Sequence, residues 1–247
     1  MVTGESLVVL DPDGRRDDEV WGMIVDSDKM AAALAAVAEV QDGMLVGLGT
    51  GSTAAFAIRR LGERVAQGLS IRAVATSAAS EALARELGIV IVDFAGVSRV
   101  DLTIDGADEV DSRLFAIKGA GGAMLREKIV AASSARMVVI ADGSKRVDTI
   151  GAARLPVEIL PFARHFVLDR LEHMGGSPLM RQDYRTDQGN LVADCRFATL
   201  ADPHALAGEL AAIPGVLGHG LFLDEVDAAY IADGGVVTRL ERSAASA

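Results

Sequence analysis

The chain is short of the residues that mark several protein classes. It holds a single cysteine, Cys195, among 247 residues. An intramolecular disulfide and a cysteine-rich zinc site are therefore excluded. Cys195 itself lies in an apolar/polar alternation, Leu191 to Phe197, which reads as a strand and not as the setting of a nucleophile. Aromatic residues make up only 4% of the chain, too few for the stacking platforms that bind single-stranded bases. Basic residues are also outnumbered: 24 Lys and Arg face 35 Asp and Glu, for a net charge of −11. A field of that sign repels a phosphate backbone unless a basic patch is segregated, and no such run occurs. Apolar stretches such as Met137 to Ala141 are bounded by charge, well short of the roughly 20 residues needed to cross a bilayer. The N-terminus carries acids where a signal peptide would carry basic and then apolar residues. The four histidines, His165, His173, His204 and His219, show no metal-ligand spacing. No Gly-x-Ser-x-Gly elbow supports hydrolase chemistry. The expectation is a soluble, cytoplasmic protein with neither nucleic acid nor membrane as partner, whose ligand is small.

What the chain does have is apolar mass: half its residues are hydrophobic, enough for a sizeable core. Residues 1 to 27 lack a clear period and read as a poorly ordered extension. From Lys29 to Val40 an alanine-rich run favours helix. Strands are then expected at Met44 to Leu48, Ile71 to Ala75, Ile89 to Val92, Leu102 to Ile104 and Met137 to Ile140. Helices are expected after Thr53, over Ala78 to Leu87 and over Met124 to Ala132. Strands alternating with helices indicate an α/β fold, a Rossmann-like, mostly parallel sheet with helices on both faces. After residue 152 the order changes to strand 156–159, helix 162–174, a hairpin pairing 180–184 with 191–197, helix from Pro203, and strand 216–222. This β-α-β-β-α-β order matches a smaller ferredoxin-like α+β domain. The run Ala228 to Ala232 could return to the first sheet. The division is 28–152 with 225–241 for the catalytic domain, and 153–224 for the second.

Four loops, each trailing a strand, carry polar residues suited to chemistry. Gly47-Leu48-Gly49-Thr50-Gly51-Ser52-Thr53 lies between strand and helix. Its glycines and the helix N-terminus suit an anion, although a plain turn capped by Ser52 fits equally. It is not a dinucleotide fingerprint, since Ser52 stands where the third glycine should be. Asp105-Gly106-Ala107-Asp108 follows a short strand, where open α/β sheets place ligands. Two nearby carboxylates suit acid–base work on hydroxyls, with a solvated acidic loop as the bland alternative. Lys118-Gly119-Ala120-Gly121 sets backbone amides around a cation, an arrangement able to stabilise an enediolate oxygen. Glu127 follows on a helix, either as a base in a dry pocket or as a surface acid. Asp142-Gly143-Ser144-Lys145 offers a lysine within reach of phosphate.

In this order and combination, the four loops resemble the ribose-5-phosphate isomerase A family. Arg126-Glu127-Lys128, Leu155-Pro-Val-Glu-Ile159 and Thr186-Asp-Gln-Gly-Asn190 are similar too, and the resemblance runs from about Lys29 to Leu240. It implies an aldose–ketose isomerase of the pentose phosphate pathway, without metal or other cofactor, working as a homo-oligomer (dimer or tetramer) on a sugar phosphate. Carried onto this chain, it implies that Thr50, Gly51, Ser52, Thr53, Lys145 and Lys29 hold the phosphate end. Asp105 and Asp108, with Gly106 and Ala107 between them, serve the ring oxygen and hydroxyls. Lys118 with Gly119, Ala120 and Gly121 stabilises the enediolate, and Glu127 moves the proton between C2 and C1. The acidic Asp224-Glu225-Val226-Asp227 departs from the basic, glycine-containing lead-in usual for the family. The main rival is a non-catalytic sugar-phosphate sensor, which would have no need of Glu127 beside Asp105, Asp108 and Lys118. A transferase built on a similar sheet is a further alternative.

Overall fold

The computed structural model describes residues 17–242, with side chains from Val25 onward. Helix α1 runs Asp17–Val37, followed by β1 (Leu45–Leu48), α2 (Ser52–Ala66), β2 (Arg72–Ala75), α3 (Ala78–Glu86), β3 (Val90–Ile91) and β4 (Leu102–Gly106). Two short strands, β5 (Glu109–Val110) and β6 (Ala116–Ile117), precede α4 (Met124–Ala132) and β7 (Met137–Asp142). The expected extension at 1–27 thus gives way to helix from Asp17, because no proline interrupts the chain between there and Val37. Residues 1–16 lie outside the described residues.

Strands β3, β2, β1, β4 and β7 pair in parallel in that order. Strand β7 is buried at all six positions, and it shows no alternation because Val138 and Ile140 pack under α1 and α2 while Met137 and Val139 pack with Ala131 of α4, Val110, Ala116 and Phe222. Val46, Leu48, Ile58, Leu61, Ile104 and Ile140 form the core beneath α1 and α2. Fully burying each such aliphatic side chain stabilises by about 1.5–3 kcal/mol. The chain returns late to complete this sheet: β13 (Ala228–Asp233) lies parallel to β7, and β14 (Val236–Glu241) closes the edge antiparallel. The expected return at Ala228 to Ala232 is therefore present, and the edge strand β14 was not anticipated.

Between these passes lie β8 (Leu155–Ile159), α5 (Arg164–His173), β9 (Gly176–Met180), β10 (Leu191–Phe197), α6 (Pro203–Ala211) and β11 (Val216–His219). Their sheet is antiparallel throughout, in the order β11-β8-β10-β9. This is the ferredoxin-like arrangement, with Val157, Val167, Leu171, Ala193, Cys195 and Leu210 in its core.

Two expectations here need correction. The strand facing β10 is 176–180, not 180–184: Asp183 takes a positive φ of 49°, which ends the extended run. The run 216–222 is not one strand but two in different sheets. After β11, Gly220 donates its N–H to Pro156 O and accepts the Lys118 N–H at its own carbonyl. The chain then enters β12 (Leu221–Phe222), which pairs with β6 in a small sheet β12-β6-β5. Gly220 so joins the second sheet directly to the backbone of Lys118.

Candidate active site

The C-terminal ends of β1, β4 and β7 deliver three of the four loops to one rim of the sheet, and β6 with the start of α4 delivers the fourth. Together they line a cleft of about 330 Å³. Thr50, Gly51, Ser52, Thr53, Gly106, Ala107, Asp108, Lys118, Gly119, Ala120, Gly121, Glu127, Lys145 and Lys29 all line it. Asp105 lies just beneath, fully buried. The structure thus brings the residues nominated from the four loops, with Lys29 and Glu127, to one cleft, Asp105 lying beneath it.

The first loop is built around contact with Asp105. Thr50 and Gly106 both donate backbone N–H to Asp105 Oδ1, at 2.9 and 2.7 Å. A side chain on Gly49 could not fit, since its Cβ would fall 2.1 Å from that same oxygen. Ser52 is the first residue of α2 and not its cap. The capping position belongs to Gly51, which has no side chain, and among the described residues no side chain caps those amides. They open on the cleft together with the hydroxyls of Ser52 and Thr53, which is the disposition a phosphate needs. The expected cap by Ser52 is therefore absent.

Lys118 is the centre of charge. Its side chain is 2% exposed, and Nζ stands 3.0 Å from Asp105 Oδ2 and 3.3 Å from Glu127 Oε2. It also donates to Gly106 O. The two facing carboxylate oxygens receive no hydrogen bond of good geometry, so these contacts act through charge. Burial alone would lower the Lys118 pKa, but Asp105 and Glu127 outweigh it and the net shift is upward. Glu127, in the first turn of α4, is 3% exposed. Burial raises its pKa to about 8, against the pull of Lys118 and with the help of the Asp105 charge. With Glu127 protonated the buried trio is neutral; with it ionised the trio carries one excess negative charge. A carboxylate so placed can take and return a proton near neutral pH.

Asp108 is also raised, first by burial, against an N–H bond from Ala120 (2.9 Å to Oδ2) and the charges of Lys118 and Lys145. At the opposite end of the cleft stand Lys145 and Lys29. Lys29 pairs with Asp26 at 3.1 Å. Its helix is held by Asp28, whose carboxylate accepts N–H from Gly234 and Gly235 at 3.0 and 2.8 Å. Among the described residues, no group of three or more His, Cys, Asp or Glu could hold a metal ion.

Sequence reasoning missed several residues. Asp142 and Ser144 line the cleft, and Asp142 Oδ1 accepts the Ser144 N–H at 3.0 Å, shaping the turn that carries Lys145. The Asp-Gly-Ser-Lys run contained that signal. Thr76 meets Thr50 hydroxyl to hydroxyl at 2.7 Å, and no local pattern marks it. The Leu-Pro-Val-Glu-Ile and Thr-Asp-Gln-Gly-Asn segments prove to be partners. Glu158 Oε1 accepts from Thr186 Oγ1 and Asn190 Nδ2, each at 2.8 Å. The acidic 224–227 segment lies away from the cleft: Glu225 pairs with Lys128 at 2.6 Å, and Asp227 accepts the Met137 N–H at 2.7 Å.

Comparisons with known proteins point the same way. The family profile described as Ribose 5-phosphate isomerase A (phosphoriboisomerase A) matches residues 72–235. Ribose-5-phosphate isomerase A of Sphingopyxis alaskensis is 53% identical over 215 residues, covering 85% of this chain and 94% of that one. The crystal structure of ribose 5 phosphate isomerase A from Neisseria gonorrhoeae matches with a TM-score of 0.85 at 38% identity, over 89% of this chain and 98% of that one. A D-ribose-5-phosphate isomerase solved in complex with phospho-erythronic acid also gives 0.85, at 35% identity, over 88% and 99% of the two chains. Likeness of this extent spans all four loops and both large sheets, and it makes the chain a member of the ribose 5-phosphate isomerase A family.

Proposed function

We propose that this protein interconverts D-ribose 5-phosphate and D-ribulose 5-phosphate through an enediolate, with Glu127 as the base. The observation that carries this reading is the placement of Lys118 Nζ between Asp105 and Glu127 in a cleft that Ser52, Thr53, Lys145 and Lys29 also line. The phosphate sits on the open amides of α2 and the hydroxyls of Ser52 and Thr53, with Lys145 and Lys29 adding charge. This end anchors the sugar without taking part in bond changes, and its binding energy orients the reacting carbons.

In the forward direction the bound ring opens, with Asp108, which lines the cleft, serving the ring oxygen and the hydroxyl proton, while Asp105 holds Lys118 from beneath. Glu127 then removes the proton from C2, and the electron pair moves into the C1–C2 bond as charge collects on the former carbonyl oxygen. Lys118 and the amides of the 119–121 loop lie where that charge develops, and one well-placed donor of this kind is worth about 3 kcal/mol in the transition state. Glu127 returns the proton to C1, while the hydroxyl proton passes from O2 to O1 by way of Asp108. One C–H bond breaks and one forms, so the reaction needs no redox partner. A relative's solved complex with phospho-erythronic acid supports a cleft suited to a short, phosphorylated, oxygen-rich chain. A sensor would bind the same ligand, but it would gain nothing from burying Glu127 against Lys118.

We further take the protein to be a cytoplasmic homo-oligomer. Supporting this are the free, buried thiol of Cys195 and the exposed aromatic side chains of Phe162, in the turn before α5, and Phe166, within α5. The test of activity is direct. Purified protein, treated with chelator and given ribose 5-phosphate, should produce ketose; no turnover at any pH from mildly acidic to alkaline would refute the isomerase reading.

A further inference from the structure

One loop beside the cleft comes from the other sheet. The segment between β9 and β10, residues 181–190, reaches across to the 118–123 loop and grips it at its carbonyls. Arg181 Nη2 donates to Gly119 O at 3.2 Å, and Tyr184 Oη donates to Gly121 O at 3.0 Å. Neither side chain lines the substrate cleft. Contact is close: a Cβ on Gly122 would fall 1.8 Å from the Tyr184 hydroxyl.

The gripping side chains are themselves fixed. Arg181 makes a two-point pair with Asp194 of β10, Nε to Oδ2 at 2.8 Å and Nη2 to Oδ1 at 2.7 Å. The far end of the segment is tied to the centre of the second sheet by the two bonds from Thr186 and Asn190 to Glu158. Asp187 accepts the N–H of Ala78 at 2.7 Å, which fastens the segment to the start of α3 as well.

The consequence follows from the planarity of the peptide. A carbonyl and the next N–H point in opposite directions. Drawing Gly119 O toward Arg181 therefore turns the Ala120 N–H the other way, and that N–H is the one donated to Asp108 Oδ2 at 2.9 Å. A single peptide unit links the guanidinium outside the cleft to the carboxylate inside it. The cation at the carbonyl also polarises the unit and strengthens the N–H bond at its other end. We propose that Arg181 is a positioning residue for the isomerisation, acting on Asp108 through the Gly119–Ala120 peptide, with Tyr184 as a second brace on the same loop. This rests on the isomerase reading above and adds to it a role for the second sheet.

Arg181→Met, Tyr184→Phe, Asp108→Asn and the double variant of the first and third test the proposal, each checked by thermal melting and assayed with ribose 5-phosphate. Arg181→Met should lower kcat about tenfold or more while KM stays within about twofold, because orientation and not binding is lost. The charges of Lys118, Lys145 and Asp105 act on Asp108, and those of Glu127 and Arg181 interact with it as well. Removing Arg181 weakens the support for ionised Asp108, so the second break of kcat/KM, on the acid side of the limb set by Glu127, should move to higher pH. In the Asp108→Asn background the same change should cost less than about twofold, since residues acting as one unit are not additive. Tyr184→Phe, which removes one oxygen, should lower kcat by about two- to fivefold with KM steady, and this reading stands in should Arg181→Met fail to fold.

A folded Arg181→Met with wild-type kcat and pH profile overturns the proposal. So does a full multiplicative loss in the Asp108→Asn background, which would show a merely structural effect. If Arg181→Met does not fold, wild-type kinetics in Tyr184→Phe overturn it. Absence of turnover in the wild-type protein would instead overturn the isomerase reading, and this proposal with it.

Discussion

At the rim of the seven-stranded sheet, Asp105, Lys118 and Glu127 share one dry space, and two of their carboxylate oxygens lack a hydrogen bond. In the four-stranded sheet Glu158 is just as deeply buried and also keeps one oxygen without a hydrogen bond, yet no cation pairs with it among the described residues, and its other oxygen takes two hydrogen bonds from Thr186 and Asn190. Both arrangements cost desolvation. In the first, the cost raises the proton affinity of Glu127 until it can exchange a proton near neutral pH, which is what acid–base catalysis requires. In the second, the carboxylate organises a loop. Depth of burial therefore does not distinguish a reactive acid from a structural one, whereas its partners do.

Exchanging the two glutamates for uncharged residues should separate these roles. The largest effect is expected for Glu127→Gln, which keeps shape but cannot accept the C2 proton: kcat should fall by about 10³-fold with KM little changed. Steady-state kinetics on the folded variant check this, and turnover near wild type would remove Glu127 as the base. Glu158→Ala should do the reverse. It strands the donors of Thr186 and Asn190 in the core, so thermal or urea unfolding should show a loss of about 3 kcal/mol. Residual activity at low temperature should stay well above that of Glu127→Gln.

Smaller effects sharpen the contrast within the cleft. Lys145→Met removes a point charge from the phosphate end, where interactions are equal in ground and transition states. KM should rise about tenfold with kcat nearly constant; a fall in kcat alone would place Lys145 in the chemistry instead. The pH profile of the unaltered protein is the gentlest probe. Because burial raises Glu127 to about 8, its ionised, basic form declines as pH drops below that value. kcat/KM should decrease by about tenfold per unit toward acid, beginning far above the ordinary carboxylate range. An acid limb starting only near the pKa of a free glutamate would mean that substrate-free Glu127 is not held as described.

Much of the parallel sheet was legible because its signals are local. The apolar runs at 45–48, 102–104 and 137–140 end in glycine- and acid-bearing turns, and α4 falls at Met124–Ala132 as its pattern predicts. The order of the ferredoxin-like unit was legible for the same reason. The two-residue strands β5, β6 and β12 were not, since they are too short for any period and exist only through pairing with one another. The break at Gly220 escaped notice because its cause, a double hydrogen bond to Pro156 and Lys118, spans residues distant in sequence.

The same division holds for the site. Residue types and their order along the chain were sufficient to nominate Asp105, Asp108, Lys118, Glu127 and Lys145, because chemistry restricts which side chains can cradle phosphate or move a proton. Local sequence could not tell a buried Glu127 from a surface one. That was decided by packing, which buries Lys118 and sets its Nζ 3.0 Å from Asp105 and 3.3 Å from Glu127. Nor could sequence show that Arg181 and Tyr184 stand behind the 118–123 loop, since their position follows from how the second sheet is docked. Composition and pattern act through neighbours along the chain; desolvation and charge pairing act through neighbours in space, and only the folded molecule supplies those.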